Sequence, residues 1–199
     1  MGLKNISGPL VVLEGAKGVS FEELVEIVVD EHETRLGRVM DVSDDVAVIQ
    51  VFEGTSDISV KNAKIRLMGH PLELPLSSEI LGRVFDGLGR PIDGLGRVFP
   101  DVKADVNGSP INPVSRKYPK DYIETGISAI DGLTTLIRGQ KLPLFSGSGL
   151  PHNELAVQIV RQAKLPRQDD TKFAIVFAAM GVKHDVAEYF RDSFEHSGV

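Results

Sequence analysis

The chain has 199 residues, 42% of them hydrophobic and 25% charged, with a formal charge of -6. This is the balance of a globular protein long enough for one or two domains with a real core, and the sign of the charge argues against a dedicated nucleic-acid binder. The sequence contains no cysteine, which excludes a disulfide framework, a cysteine-ligated zinc site and a thiol nucleophile, and fits a cytosolic setting.

The opening residues, Met1 to Val12, lack the basic start and long apolar core of a signal peptide. The most apolar runs, Pro9–Leu13 and Leu24–Val29, fall far short of the roughly 20 residues that span a bilayer. Membrane association is therefore expected only through other proteins.

The first third has strand character. Ile6–Leu13, Leu24–Val29, Arg38–Met40, Val46–Phe52 and Ala63–Met68 are short and rich in Val and Ile. They are separated by turn residues such as Glu14-Gly15, Asp44-Asp45 and Glu53-Gly54. This spacing predicts a small all-β barrel or sandwich over residues 1–71. Residues 72–199 are expected to be a connector and the first part of a second domain. From Leu81 to Pro113 the chain is rich in glycine and proline, which implies tight turns. Within it Leu81–Phe85 recurs as Leu95–Phe99, two copies where a solenoid needs about three or more.

From Thr125 the pattern turns helical: Ile127, Ile130, Leu133 and Ile137 keep helical spacing, and Gly139 offers a stop. A short strand is expected at Leu142–Phe145, then the loop Ser146-Gly147-Ser148-Gly149-Leu150-Pro151-His152-Asn153. A helix follows from about Asn153, with Leu155, Ala156, Ile159, Val160 and Ala163 on one face. Phe173–Met180 reads as a strand buried on both faces. Asp185 and Glu188 resemble a capping box for a last helix, with Val186, Phe190 and Phe194 on its inner face. Strand, loop, helix, strand, helix is the beginning of a parallel α/β domain. About two such units leave a sheet edge uncovered, so the sequence is expected to continue or to fold with help from elsewhere.

The loop has the context of a phosphate loop, in which backbone N–H groups and a helix N-terminus cradle phosphate, a lysine reaches the β and γ phosphates, and Ser/Thr ligates magnesium. Its chemistry differs. Against G-x-x-x-x-G-K-[ST], the first glycine is Ser146, the second is Pro151, the lysine is His152 and the Ser/Thr is Asn153. Pro151 has no N–H to donate. A histidine that is mostly neutral is a poor substitute for a permanent cation. Three outcomes stay open for Ser146, Gly147, Ser148, Gly149, Pro151, His152 and Asn153: a turn joining strand to helix, weak nucleotide binding, or hydrolysis. Other motifs fail here. A dinucleotide fingerprint needs glycine where His152 stands, and a nucleophile elbow needs glycine at Ser146. His32, His70, His152, His184 and His196 have no metal-site spacing. Asp169-Asp170 reads as a solvated turn.

An ordered series of stretches resembles one family, the non-catalytic B subunit of V-type and A-type ATPases. It comprises Ile6–Leu10, Val48–Thr55, Leu81-Gly82-Arg83 with Gly89–Gly94, Thr125–Asp131, and Arg138–Gln162 including Phe145–Pro151. The resemblance implies a β-barrel domain in the crown of a hexameric ring, then a RecA-like nucleotide-binding domain, incomplete here, and a helical domain that this sequence lacks. It implies alternation with the family's catalytic ring partner, with ATP or ADP held weakly or at the interface between the two. It further implies contacts with central-shaft and peripheral-stalk subunits, coupling of ATP hydrolysis or synthesis to proton or sodium transport, and a place on the cytoplasmic side of a membrane.

Catalytic relatives carry Gly-Glu-Arg after the strand that follows the phosphate-loop helix, and its glutamate positions the attacking water. The matching stretch here is Gly181-Val182-Lys183, and valine cannot orient water or take a proton. The arginine that the non-catalytic relatives lend to the catalytic site lies beyond residue 199. Arg138 and Arg161 are thus read as surface or interface residues. No catalytic residue and no metal ligand is expected in this chain. Two other readings are a nucleotide-binding sensor and a nucleic-acid-dependent RecA-like ring; the acidic balance argues against the latter.

Overall fold

A computed structural model describes residues 2–165 and 173–197, which form two compact units, Met1–Pro110 and Ile111–Val199. The pair Asp169-Asp170 lies outside the described residues.

In the first unit, β1 (Gly2–Ser7), β2 (Leu10–Glu14), β3 (Glu23–Val28), β4 (Thr34–Ser43), β5 (Val46–Val51) and β6 (Lys64–Pro71) form one antiparallel sheet in the order β1-β2-β5-β4-β3-β6. Alternation puts one side of each strand inward. Val11 and Leu13, Val25 and Ile27, Val39, and Ala47, Ile49 and Val51 make the core, almost all without solvent exposure. Bulges between Leu3 and Asn5, Glu23 and Val25, and Val39 and Asp41 bend the strands. The sheet curls into a barrel-like form, but no ladder joins β1 to β6 among the described residues. It is an open sheet.

Ile6–Leu13, expected as one strand, is instead a hairpin. Gly8 turns the chain at a φ of 56°, which a glycine adopts without steric cost, and Pro9 lacks the N–H that a continuous strand would use. β4 and β5 approach so closely that Gly37 cannot be replaced freely: a Cβ there would stand 2.7 Å from Gln50 O and 2.8 Å from Ile49 Cγ2. Buried Glu23 accepts from Ser20 N at 2.9 Å and Gly69 N at 2.8 Å. Buried Arg35 donates to Gly54 O at 3.0 Å and Ser56 O at 2.5 Å. Both buried charges are therefore satisfied.

Beyond Pro71, β7 (Glu73–Leu76) pairs with β8 (Val102–Asp105) and encloses the first part of the glycine- and proline-rich stretch, up to residue 101. The two copies of Leu-Gly-Arg-Val-Phe are not equivalent inside it. Arg83 forms an ion pair with Asp93, whereas in the second copy Val98 is buried and Phe99 is exposed.

The second unit holds α1 (Ser128–Leu133), α2 (His152–Gln162) and α3 (His184–Glu195). Helix α1 stops before Thr134 rather than running to Gly139. The Thr135 hydroxyl donates to Asp131 O at 2.9 Å, and Ile137 pairs with Tyr122 in an isolated bridge. Leu142–Phe145 and Phe173–Met180, expected as strands, form no ladder. A strand buried on both faces needs neighbours on both edges, and these segments have none among the described residues. Phe145 and Val176 are each 93% exposed. Phe177 packs onto Phe190 and Phe194 of α3 at ring separations of 4.5 and 5.1 Å. The capping box expected at α3 does not form. His184 and Glu188 pair with each other at 3.3 Å, Asp185 Oδ1 accepts from Val186 N, and no side chain caps the helix.

Candidate functional site

The loop 146–151 and the first turn of α2 are the best-defined candidate site in the second unit. Gly149, at a φ of 82°, reverses the chain, and Pro151 stands at the N-cap with no side-chain bond to the helix. A proline there fits the helix start, since its missing N–H costs the helix nothing. From His152 onward Val157 is buried, with Leu155, Ala156, Ile159 and Val160 partly so, which fixes the direction of α2.

Side chains and backbone of the loop are bonded to one another. His152 Nδ1 lies 2.9 Å from Ser146 Oγ and 3.1 Å from Leu150 O. A carbonyl can only accept, so the second contact requires the proton on Nδ1. In the neutral ring Nε2 then carries a lone pair, which repels phosphate oxygen. The imidazole is thus turned back onto its own loop, where a lysine would extend a cation outward.

The backbone donors divide likewise. His152 N donates to Leu150 O at 2.9 Å and Leu150 N to Gly147 O at 3.3 Å, while Pro151 has no N–H. The N–H groups of Gly147, Ser148 and Gly149 have no partner among the described residues and are solvent-exposed. Three consecutive backbone donors of the loop are thus left without an internal acceptor among the described residues. Glu154, in the first turn of α2, places a negative charge where the helix dipole would otherwise favour phosphate.

Asn153 is half-buried at the second position of α2. Val182 follows Gly181, which has a φ of 67°, and is 45% exposed on the segment leading to α3. Ser146 through Asn153 are therefore gathered in one turn, while Val182 is connected to them through the packing of α2 on α3. Arg161, near the end of α2, makes that link. Its Nε donates to Ser197 Oγ at 2.6 Å and its Nη2 to Ser193 O at 3.0 Å. Arg138 is exposed, and its backbone N–H donates to Asp121 O.

One feature is invisible to a side-chain motif, and a second is marked only by spacing. The Leu150 carbonyl, which orients His152, has no sequence signature. Asp131 binds back to the entry of the unit: its Oδ1 accepts from Thr125 N at 3.0 Å and Thr125 Oγ1 at 2.7 Å, and its Oδ2 from Gly126 N at 3.0 Å. These donors, the Thr125 N–H first, hold the Asp131 carboxyl below its ordinary pKa. The spacing of Thr125-Gly126 and Asp131 was the available signal.

Residues 3–69 match the β-barrel domain of the ATP synthase alpha/beta family, and residues 126–199 match its nucleotide-binding domain. The chain is 57% identical over 198 residues to a V-type ATP synthase beta chain of Halothermothrix orenii, an alignment covering 100% of this chain and 42% of the relative. It is 58% identical over 198 residues to V-type ATP synthase beta chain 2 of Clostridium tetani, covering 99% of this chain and 43% of the relative. The chain thus spans less than half the length of these relatives.

Proposed function

This chain belongs to the ATP synthase alpha/beta family, and on that premise we propose that it is the N-terminal portion of the non-catalytic B subunit of a V-type or A-type ATPase. In this reading residues 1–71 are the crown barrel. Residues 72–110 are the connector that packs with it, and the remainder begins the nucleotide-binding domain. The protein alternates with its catalytic partners in a hexameric ring. It contacts the shaft and stalk subunits and meets the membrane, on its cytoplasmic side, only through other subunits. Among the described residues no helix is long and apolar enough to cross a membrane.

The observation that carries the reading is His152. It stands where the phosphate-binding lysine belongs, and its Nδ1 is bonded back to Ser146 Oγ and Leu150 O. Val182, where a water-orienting glutamate belongs, is the supporting loss. Hydrolysis needs both the cation on the transferring phosphoryl and the positioned water. The role left is to complete a neighbour's site and pass on conformational change, with ion transport following from the assembled motor. Native mass spectrometry of the full-length protein mixed with its catalytic partner tests this. The proposal expects alternating rings whose ATPase activity appears only on mixing, and homomeric rings with activity would contradict it.

A second reading rests on the free N–H groups of Gly147, Ser148 and Gly149. These donors support retention of ADP or ATP without turnover, as in a sensor. Calorimetric titration of the full-length protein with nucleotide tests it, and absence of heat at millimolar nucleotide would remove it.

A further inference from the structure

Asn107 and Gly108 are the only asparagine–glycine pair in the sequence, and they lie in an exposed turn just past β8. Asp105 organises this turn. Its carbonyl accepts Gly108 N–H at 3.0 Å, and its Oδ1 accepts both Asn107 N–H at 2.8 Å and Asn107 Nδ2 at 3.0 Å. Asp at the first position and Gly at the fourth is the usual chemistry of such a turn. A Cβ on Gly108 would meet nothing within 4 Å, and both Asn107 and Gly108 are exposed, so the surroundings leave room for the turn to rearrange.

We propose that Asn107 is a site of spontaneous deamidation, held back in the folded protein by the Asp105 turn. The chemistry needs only water. The Gly108 peptide nitrogen, after losing its proton to hydroxide, attacks Asn107 Cγ and forms a C–N bond. The Cγ–Nδ2 bond then breaks, the departing NH2 takes up one proton from water and leaves as ammonia, and a five-membered cyclic imide remains. Water opens the imide at either carbonyl to give aspartate or isoaspartate. Glycine is the follower that obstructs this ring closure least, because it has no Cβ.

The turn opposes the first two steps. Gly108 N–H is held by Asp105 O, which makes its proton harder to remove. Asn107 Nδ2 is held by Asp105 Oδ1, which keeps the amide from rotating onto the nitrogen. Once formed, the product is ill-suited to its place. A carboxylate at 107 cannot donate to Asp105, and it faces a shallow cleft already lined by Glu22, Glu23 and Asp105, with His70 as the one basic side chain there. An isoaspartyl linkage also lengthens the backbone next to the last β7–β8 pair, Glu73 with Asp105.

Peptide mapping by mass spectrometry, after incubating the whole chain in neutral buffer with and without urea, tests the proposal. In urea, the peptide carrying Asn107 is expected to convert faster than those carrying Asn5, Asn62, Asn112 or Asn153, with isoaspartate among the products. Without urea its conversion is expected to be slower. In Asp105→Ala the folded-state rate is expected to rise towards the urea rate, with the rate in urea unchanged. Conversion in urea no faster than at the other asparagines would overturn the site. Equal rates with and without urea in the unsubstituted chain would overturn the protection, even if Asp105→Ala fails to fold. A folded Asp105→Ala with an unchanged rate would overturn the role given to the Asp105 carboxylate, the part of the turn that this substitution removes.

Discussion

Arg83 holds Asp93 with two parallel bonds, Nε to Oδ2 at 2.5 Å and Nη2 to Oδ1 at 3.0 Å, while Nη2 also donates to Gly96 O at 2.7 Å. Asp93 further accepts Val84 N and Leu95 N. One ion pair with both side chains nearly out of solvent therefore pins the two sides of the glycine-rich excursion between β7 and β8. A forked guanidinium–carboxylate pair is the strongest geometry for this purpose.

The Arg83 hydrogen bond, with help from Leu95 and Val84 N–H and against the effect of burial, holds the Asp93 carboxyl well below the usual carboxylate range. A folded-state pKa below the unfolded value of about 3.9 contributes stability above that value, and the contribution is lost as pH falls through the folded pKa. Asp93→Asn is thus expected to lower the thermal midpoint of the first unit at neutral pH. The difference from the unsubstituted protein should shrink on acidification below about pH 4. Thermal unfolding followed by circular dichroism across pH measures both. A difference independent of pH would show that the charge is not the cause.

Asp131 carries the same sign in the second unit, since its carboxyl is also held below its ordinary value. Asp131→Asn retains one acceptor oxygen but loses the charge shared by three donors of Thr125 and Gly126. Faster hydrogen exchange is expected at the Thr125 and Gly126 amides, with little change at the β2 and β5 amides of the first unit.

In the first unit two substitutions separate overpacking from cavity formation. Gly37→Ala drives a Cβ into Gln50 O and Ile49 Cγ2, with an expected loss of about 1–3 kcal/mol. Ile49→Ala empties a fully buried position and is expected to cost about 2–5 kcal/mol. Urea denaturation curves give both values. A neutral Gly37→Ala would mean that β4 and β5 can move apart freely.

The two units are expected to differ in protection. The first has a continuous core of β-strand residues, whereas in the second Phe145, Val176 and Met180 are largely exposed. Hydrogen exchange of the 199-residue chain should show strong protection in β2, β3 and β5 and weak protection across 140–150 and 173–182. Uniform strong protection would contradict this.

Much of this was legible because it depended on side-chain period and turn chemistry. Alternating Val and Ile located β3 and β5, and the apolar spacing after Pro151 located α2. What escaped depended on partners distant in sequence. Nothing in Leu142–Phe145 or Phe173–Met180 says whether neighbouring strands are present, and without them the apolar runs stay unpaired. The hairpin at Gly8-Pro9 could have been read from its residues, but the runs of apolar residues on either side masked it. At the loop, the substitutions at Ser146, Pro151, His152 and Asn153 were plain. The orientation of His152 was not, because it is set by a backbone carbonyl.

A lysine by itself should not revive the loop. His152→Lys supplies a cation but leaves Pro151 without its N–H and Val182 without a carboxylate. Tighter nucleotide binding with no gain in hydrolysis is expected, read by calorimetry beside a phosphate-release assay. Turnover in this single variant would show that Val182 and Pro151 do not matter.

On the function proposed above, this protein's own loop does not perform hydrolysis. Magnesium-dependent phosphate release from ATP by the purified full-length protein, free of catalytic partners, tests it most directly. The account predicts release no faster than a buffer control, whatever the nucleotide occupancy. Robust magnesium-dependent release that tracks the protein concentration would contradict it.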